Sequence, residues 1–408
     1  MVYEEALKKL RSYGQEHLLA FYDTLSDEQR ASLLDQIEET DFSVISALAN
    51  EKANTARGEL SPLSAMTVAQ IEERKEEFTR VGLQAIREGK VCAVLLAGGM
   101  GTRLGSADPK GMYDIGLTKH VYIFQRLIEN LMDVVKESGT WIRLFVMTSD
   151  VNDAKTRAFF AEHDYFGYKA DKIAFFKQDM APTVSFEGKV LLENKGRIST
   201  SPNGNGGWFS SMVRAGIGDI LKNEGIEWLN VFAVDNVLQR ICDPAFVGAT
   251  ILSGYEAGSK VIRKADPDEK VGVICKEDGR TAVVEYSEMT DELRNSVDEH
   301  GDYLYYFGVI LNYLFSVKGL MRALDEELTI HIARKKISCI DEKGNEVKPE
   351  EPNGCKFELF IFDLLKALEG CLPYEVVREY EFAPIKNKTG VDSVESARKL
   401  CAENGIEL

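Results

Sequence analysis

Apolar positions along the first ninety residues recur with helical spacing. Leu7, Leu10, Leu18, Leu19 and Phe21 form one face, and Leu33, Leu34 and Ile37 form another. Ser26 with Gln29, and Thr67 with Gln70, read as capping boxes that open helices, the second running to Gly89. Residues 53–64, ANTARGELSPLS, read as a polar loop between them. From residue 91 the pattern becomes strand, loop, helix. VCAVLLA is followed by an amphipathic helix carrying Phe124, Leu127, Ile128, Leu131 and Val135, then by the apolar run 142–149 and a helical KTRAFFAEH. KIAFFKQ and NVFAVDN give two more strands. This alternation predicts an α/β fold, a Rossmann-like, mostly parallel sheet covered on both faces, with ligands at the carboxyl ends of its strands. Gly98, Ser149, Gln178 and Asp235 all fall at those ends. Further on, 271–288 reads as a hairpin turning at Asp278-Gly279, YLYYFGVILNYLF as a strand passing into a helix, and CKFELFIFDLL as a helix. The expected division is an N-terminal helical region over 1–90, a central domain over 91–330 and a C-terminal segment over 331–408.

The 408 residues carry a net charge of −17, which argues against a nucleic-acid partner and means that any polyanion site must gather its cations locally. No apolar run is long enough for a membrane span, so no membrane association is expected. The N-terminus lacks a signal-peptide core, and a cytoplasmic protein is expected. Seven scattered cysteines without a C-x-x-C pair, and five histidines without metal-site spacing, predict neither a disulfide framework nor structural zinc.

The chemistry concentrates in residues 95–117, LLAGGMGTRLGSADPKGMYDIGL. A wholly apolar strand runs into Gly98, Gly99 and Gly101, and Arg103 and Lys110 follow closely. Glycines there let backbone N–H groups approach phosphate oxygens, and the two cations add counter-charge. The pattern points to a nucleoside-triphosphate site. The glycine spacing fits neither the dinucleotide fingerprint nor a P-loop. The stretch resembles the signature of sugar-nucleotide pyrophosphorylases, L-A-G-G-x-G-T-R-L-G followed by P-K-G. Its ending is similar to the eukaryotic-type UDP-N-acetylhexosamine pyrophosphorylases of the UDP-sugar pyrophosphorylase family. That resemblance implies a nucleotide-diphospho-sugar transferase fold of GT-A-like type. It also implies nucleotide contacts from Leu96, Gly98 and Gly99 and catalytic roles for Arg103 and Lys110.

Other stretches extend the resemblance over nearly the whole chain. SPNGNGG resembles the family's P-D-G-N-G-G loop, which implies that Pro202, Gly204 and Asn205 cradle the uracil, with Asn203 in place of the Asp. Gln178 in FFKQDMAP matches the family Gln that reads the base, a task for which an amide offers donor and acceptor together. Asp235, a carboxylate closing an apolar strand, is the magnesium candidate, since Mg²⁺ needs only one or two carboxylates besides phosphate and water. The resemblance also assigns Gly272, Glu285, Phe360 and Phe362 to the sugar pocket, and Lys386 in REYEFAPIKN to the sugar phosphate. Val309 stands where the family has an Asn that contacts the hexose, and Asn312 is the nearest polar substitute. The chain stops about twenty residues after Lys386. It is therefore expected to be a compact monomer without the family's C-terminal β-rich domain.

The implied activity is uridylyl transfer: UTP and a hexose 1-phosphate, N-acetylglucosamine 1-phosphate first, give UDP-sugar and pyrophosphate with Mg²⁺. Glucose or galactose 1-phosphate is the alternative substrate, and a non-catalytic UDP-sugar sensor is the alternative from another class.

Overall fold

The computed structural model describes residues 1–49, 57–326 and 328–408. The chain divides into two compact units. The larger comprises Arg57–Gln178, Trp208–Glu327 and Phe362–Leu408; the smaller comprises Met1–Ala56, Asp179–Gly207 and Leu328–Ile361.

The larger unit is a mixed α/β fold around a ten-stranded sheet. In chain order its strands are β1 Leu60–Pro62, β2 Val91–Leu96, β3 Leu144–Thr148, β4 Ile173–Lys177, β5 Trp228–Ala233, β6 Ala257–Arg263, β7 Val273–Glu277, β8 Arg280–Val284, β9 Phe307–Ser316 and β10 Cys371–Glu375. The half carrying the signature is parallel, in the order β5-β2-β3-β4. Ala233 stands beside Leu96, Leu96 beside Met147, and Met147 beside Phe176, so these strands end level. β2 and β3 are buried at every position, as both covered faces demand. The other half is antiparallel apart from the pairing of β6 with β10.

Helix Ile123–Ser138 lays Phe124, Leu127, Leu131 and Val134 on the core and stops at Gly139, whose φ of +73° suits a left-handed cap. Helix Lys75–Arg87 packs on helix Pro244–Ser253 at glycine-to-backbone contact. A Cβ on Gly82 would stand 1.9 Å from Pro244 O, and one on Gly248 would stand 1.8 Å from Phe78 O. The hairpin at Asp278-Gly279 forms as expected, with both residues at positive φ, +51° and +79°.

In the smaller unit, helices Tyr3–Ser12 and Asp27–Glu39 pack with short strands from both later segments. Ser26 and Gln29 make their reciprocal cap. Leu10, Leu18, Leu33, Ile37, Phe42, Val184, Leu192 and Phe357 share one core. Strand Gly354–Glu358 pairs with His331–Lys335 on one side and Val184–Ser185 on the other.

Several expectations need correction. The units do not follow three consecutive segments, because the 60–87 elements pack on the large sheet, while strand pairing joins 179–207 to 328–361. Residues 60–62 of the supposed polar loop form edge strand β1 against β7; residues 53–56 lie outside the described residues. The helix expected to run to Gly89 breaks at Arg74, giving Val68–Glu73 and Lys75–Arg87. β9 remains a strand to Ser316, since β5 and β6 pair with it on either side; only then does Ser316 cap helix Val317–Ala323. CKFELFIFDLL is not one helix: Gly354–Glu358 is a strand, fixed by its two partners, and a 3₁₀ segment begins at Ile361. Among the described residues no helix is long and apolar enough to cross a membrane.

Candidate active site

The parallel half of the sheet positions the signature. β2 delivers Leu96 at its buried end, and the chain turns away at Gly98 and Gly99. β4 delivers Gln178, which is 8% exposed and whose N–H donates to Thr148 O at 2.8 Å. The two strand ends meet closely: a Cβ on Gly98 would stand 2.4 Å from Gln178 Nε2. Around Gly99, in contrast, a Cβ would meet nothing within 4 Å. Gly98 therefore makes room for an amide of the protein, and Gly99 leaves open space outside.

The loop after Gly99 is held by its own backbone. Gly101 N–H donates to Asp108 O at 2.8 Å, Ser106 N–H to Gly101 O at 3.1 Å, and Lys110 N–H to Gly99 O at 3.2 Å. Asn152, fully buried after β3, donates to Ala97 O at 2.9 Å and accepts from Ser149 N–H at 2.8 Å. The signature's far end closes on Asp114, which accepts N–H bonds from Gly116 and Val121 and pairs with His120. Burial pushes the Asp114 carboxyl up, but the bond from His120 and these two N–H groups hold it below its ordinary value.

Lys110 and Asp235 come together. Lys110 Nζ lies 3.5 Å from Asp235 Oδ2, with the side chains 17% and 25% exposed. β5 carries Asp235 to the same sheet end as Gly98. Lys386 joins the same neighbourhood through the backbone. Asp235 O accepts the Ile385 N–H at 2.9 Å, and Lys386 Nζ is held by Asp392 Oδ2 at 3.0 Å. Arg103 is exposed on the loop. Lys388, which the sequence reading passed over, lies against the last glycine of that loop: a Cβ on Gly105 would stand 2.8 Å from its Nζ. Its signal was a second lysine in the KNKTG stretch. Asn152 gave no signal, because a short polar run after a strand reads as loop. In a chain of net charge −17, the larger unit brings Lys388 against the signature loop and Lys110 beside Asp235, whose carbonyl in turn holds the residue before Lys386.

Gly272, Glu285 and Val309 are also brought together. From a Cβ placed on Gly272, Glu285 Oε1 would lie 3.5 Å away and Val309 Cγ2 3.6 Å away. Asn312 does not stand in for the replaced Asn. Its amide is spent in the core, accepting from Asn230 at 2.8 Å and donating to Gln239 and to Arg240 O at 3.3 Å. Phe362, on the larger unit, is 7% exposed.

On the smaller unit, the loop after strand Thr200–Pro202 folds onto Leu359. Gly206 N–H donates to Leu359 O at 2.8 Å, and Leu359 N–H donates to Asn203 O at 2.7 Å. Gly204, at φ +84°, could carry no side chain, since its Cβ would stand 2.3 Å from Leu359 O. Asn205 Oδ1 accepts from Ile361 N–H at 3.0 Å, and Pro202 is exposed. Asn203 turns its amide nitrogen to the carbonyl oxygens of Asp179, at 3.2 Å, and Gly204, at 3.3 Å. A carboxylate in that place would face two acceptors. Phe360 packs on His331 with ring centroids 4.5 Å apart.

For a metal, no cluster of three or more His, Cys, Asp or Glu side chains exists among the described residues. Asp235 alone fits a cation that takes its remaining ligands from phosphate and water. All seven cysteines are buried thiols.

Comparison with known proteins agrees with this arrangement. A family model described as UTP–glucose-1-phosphate uridylyltransferase matches residues 42–404. The UDP-N-acetylglucosamine pyrophosphorylase of Saccharomyces cerevisiae is 38% identical over 96% of this chain and 84% of its own length. UDP-N-acetylhexosamine pyrophosphorylase-like protein 1 of Mus musculus is 36% identical over 94% of this chain and 80% of its own. The crystal structure of the Trypanosoma brucei uridine diphosphate N-acetylglucosamine pyrophosphorylase, in complex with inhibitor, has a TM-score of 0.84 at 28% identity. It covers 98% of this chain, and the match takes in 84% of that chain. With the signature at the parallel strand ends and relatives matching nearly end to end, the chain belongs to the UDP-sugar pyrophosphorylases, the UTP–glucose-1-phosphate uridylyltransferase family.

Proposed function

We propose that the protein makes UDP-N-acetylglucosamine and pyrophosphate from UTP and N-acetylglucosamine 1-phosphate. The observation that carries this reading is the Lys110–Asp235 pair, 3.5 Å apart at the strand ends beside Gly98 and Gly99. A cation and a carboxylate so placed suit a phosphoryl centre, which needs charge neutralisation and positioning rather than a protein nucleophile.

An oxygen of the sugar phosphate attacks the α-phosphorus of UTP. The bond from that phosphorus to the bridging oxygen breaks in line, and pyrophosphate leaves with the electron pair. Arg103 and Lys110 neutralise the triphosphate and the charge that develops on the leaving group. Lys386, kept in place by Asp392, orients the attacking sugar phosphate. Gln178 reads the uracil edge, and Leu96, Gly98 and Gly99 line the nucleotide. Gly272, Glu285 and Phe362, all on the larger unit, hold the sugar. Magnesium, held by Asp235, would supply further neutralisation of the reacting phosphates. The GT-A-like classification, the monomeric state and the cytosolic location belong to the same proposal.

Val309 favours one second reading, glucose or galactose 1-phosphate as substrate. An apolar side chain beside Gly272 and Glu285 offers no hydrogen bond to a sugar hydroxyl, and an apolar wall discriminates weakly among similar groups. Pyrophosphate release from UTP with a panel of hexose 1-phosphates separates the two readings, and its absence with every sugar overturns both.

A further inference from the structure

Two functional side chains assigned above, Asp235 and Lys386, sit on segments far apart in sequence. Both segments converge on one residue that the proposed mechanism does not use. Asn236, 1% exposed, follows Asp235 directly. Its Nδ2 donates to Glu381 O at 2.7 Å, and its Oδ1 accepts from Ala383 N–H at 2.9 Å. The backbone then continues the joint. Asn236 pairs with Pro384 in an isolated antiparallel bridge, Ile385 N–H donates to Asp235 O at 2.9 Å, and Val237 N–H reaches Ala383 O at 3.4 Å.

The joint is anchored on both sides. Gln239 Nε2 donates to Ala233 O at 2.7 Å and to Asn236 O at 2.9 Å, fixing the turn that leaves β5. Glu381 in turn is held by the fully buried Lys260, whose Nζ donates to Glu381 Oε2 at 2.6 Å and to Asp243 Oδ2 at 3.1 Å. A buried amide meeting one carbonyl and one N–H of a crossing chain satisfies both of its polar ends, and it does so in one register only. Sliding the 381–386 segment by one residue would leave two buried polar groups unpaired.

We infer that Asn236 is a positioning residue: it clamps the segment bearing Lys386 to the turn bearing Asp235, fixing the distance between the carboxylate and the cation that serve the two reacting phosphates. The inference rests on the proposed uridylyl transfer. Asn236 touches neither substrate. It acts through the two residues it holds in register, and misplacing either by an ångström costs far more rate than stability.

The test pairs kinetics with hydrogen exchange on the full chain. In Asn236→Ala the amides of Ala383 and Ile385 should lose protection together. Turnover should fall roughly a hundredfold, the magnesium concentration for half-maximal rate should rise, and KM for UTP should stay unchanged. Gln15→Ala removes a buried amide of the smaller unit, one that donates to Gly188 O and accepts from Val190 N–H, each at 2.9 Å. It should lower the melting temperature without altering exchange at Ile385 or the magnesium requirement. Should Asn236→Ala fail to fold, Asn236→Asp keeps the acceptor for Ala383 N–H, loses the donor to Glu381 O, and should show the same changes at smaller amplitude. Unchanged protection at Ile385, or a rate loss matched by Gln15→Ala at equal destabilisation, overturns the inference. Silence of the unmodified protein with every sugar phosphate sinks the activity instead, while exchange in the variants still decides whether the clamp exists.

Discussion

Gly98 and Gln178 are packed so closely that the glycine's missing side chain is the amide's space: a Cβ on Gly98 would stand 2.4 Å from Gln178 Nε2. Gln178 is nearly buried and directly follows β4, its backbone tied to Thr148 O at 2.8 Å. Gly98→Ala should therefore push the amide aside and, if Gln178 reads the base as proposed, raise KM for UTP about tenfold. Steady-state kinetics with UTP as the varied substrate measures this. Gly99 supplies the contrast. Its Cβ position is open, so if the triphosphate binds there as proposed, Gly99→Ala should leave the melting temperature unchanged yet lower activity.

Lys110→Ala should lower turnover at least about a hundredfold, the range found on removing a donor aimed at developing charge, about 2.7–4 kcal/mol. The fold should be little affected, since the pair is a single long contact at 3.5 Å whose two side chains, though mostly buried, both still reach solvent. Stopped-time pyrophosphate assays alongside thermal melts separate the two quantities. Near-normal turnover would remove Lys110 from the mechanism.

Val309→Asn restores an amide beside Gly272 and Glu285. If the pocket reads the sugar there, kcat/KM for N-acetylglucosamine 1-phosphate relative to glucose 1-phosphate should rise in the variant. Equal ratios before and after would place Val309 outside the sugar site.

Acid stability should depend on Glu277 at the end of β7. Burial pushes its carboxyl up, but Lys366 at 2.7 Å, Gly58 N–H at 2.9 Å and Arg57 at 2.9 Å overcome this and hold it at about 2, against an ordinary 4.5. The folded value lies below the unfolded one. The contribution is thus complete above about pH 4.5 and fades as the pH falls toward 2. Glu277→Gln should be less stable at neutral pH and should lose less stability across that window. Denaturant melts at stepped pH read the difference.

What was legible in the sequence was local. The strand running into Gly98, the capping boxes at Ser26 and Thr67, and the Asp278-Gly279 turn each depend on neighbours a few residues away, and each forms as expected. β9 was misread over its second half because pairing on both sides, not its own periodicity, keeps it extended. The close approach of Gly98 to Gln178 could not be seen, since glycine next to a strand does not say what fills its place. Asn236 was hidden for the same reason: its partner carbonyl is 145 residues away. Val309 was visible as a departure, but only the packing shows that Asn312 is committed elsewhere.

The measurement that bears most directly on the proposed function is pyrophosphate release from UTP and magnesium with N-acetylglucosamine, N-acetylgalactosamine, glucose and galactose 1-phosphates assayed in parallel. Release is expected, fastest with N-acetylglucosamine 1-phosphate, and lost in Lys110→Ala. Folded protein that binds UDP-sugar in titration calorimetry yet releases no pyrophosphate with any of the four would contradict it.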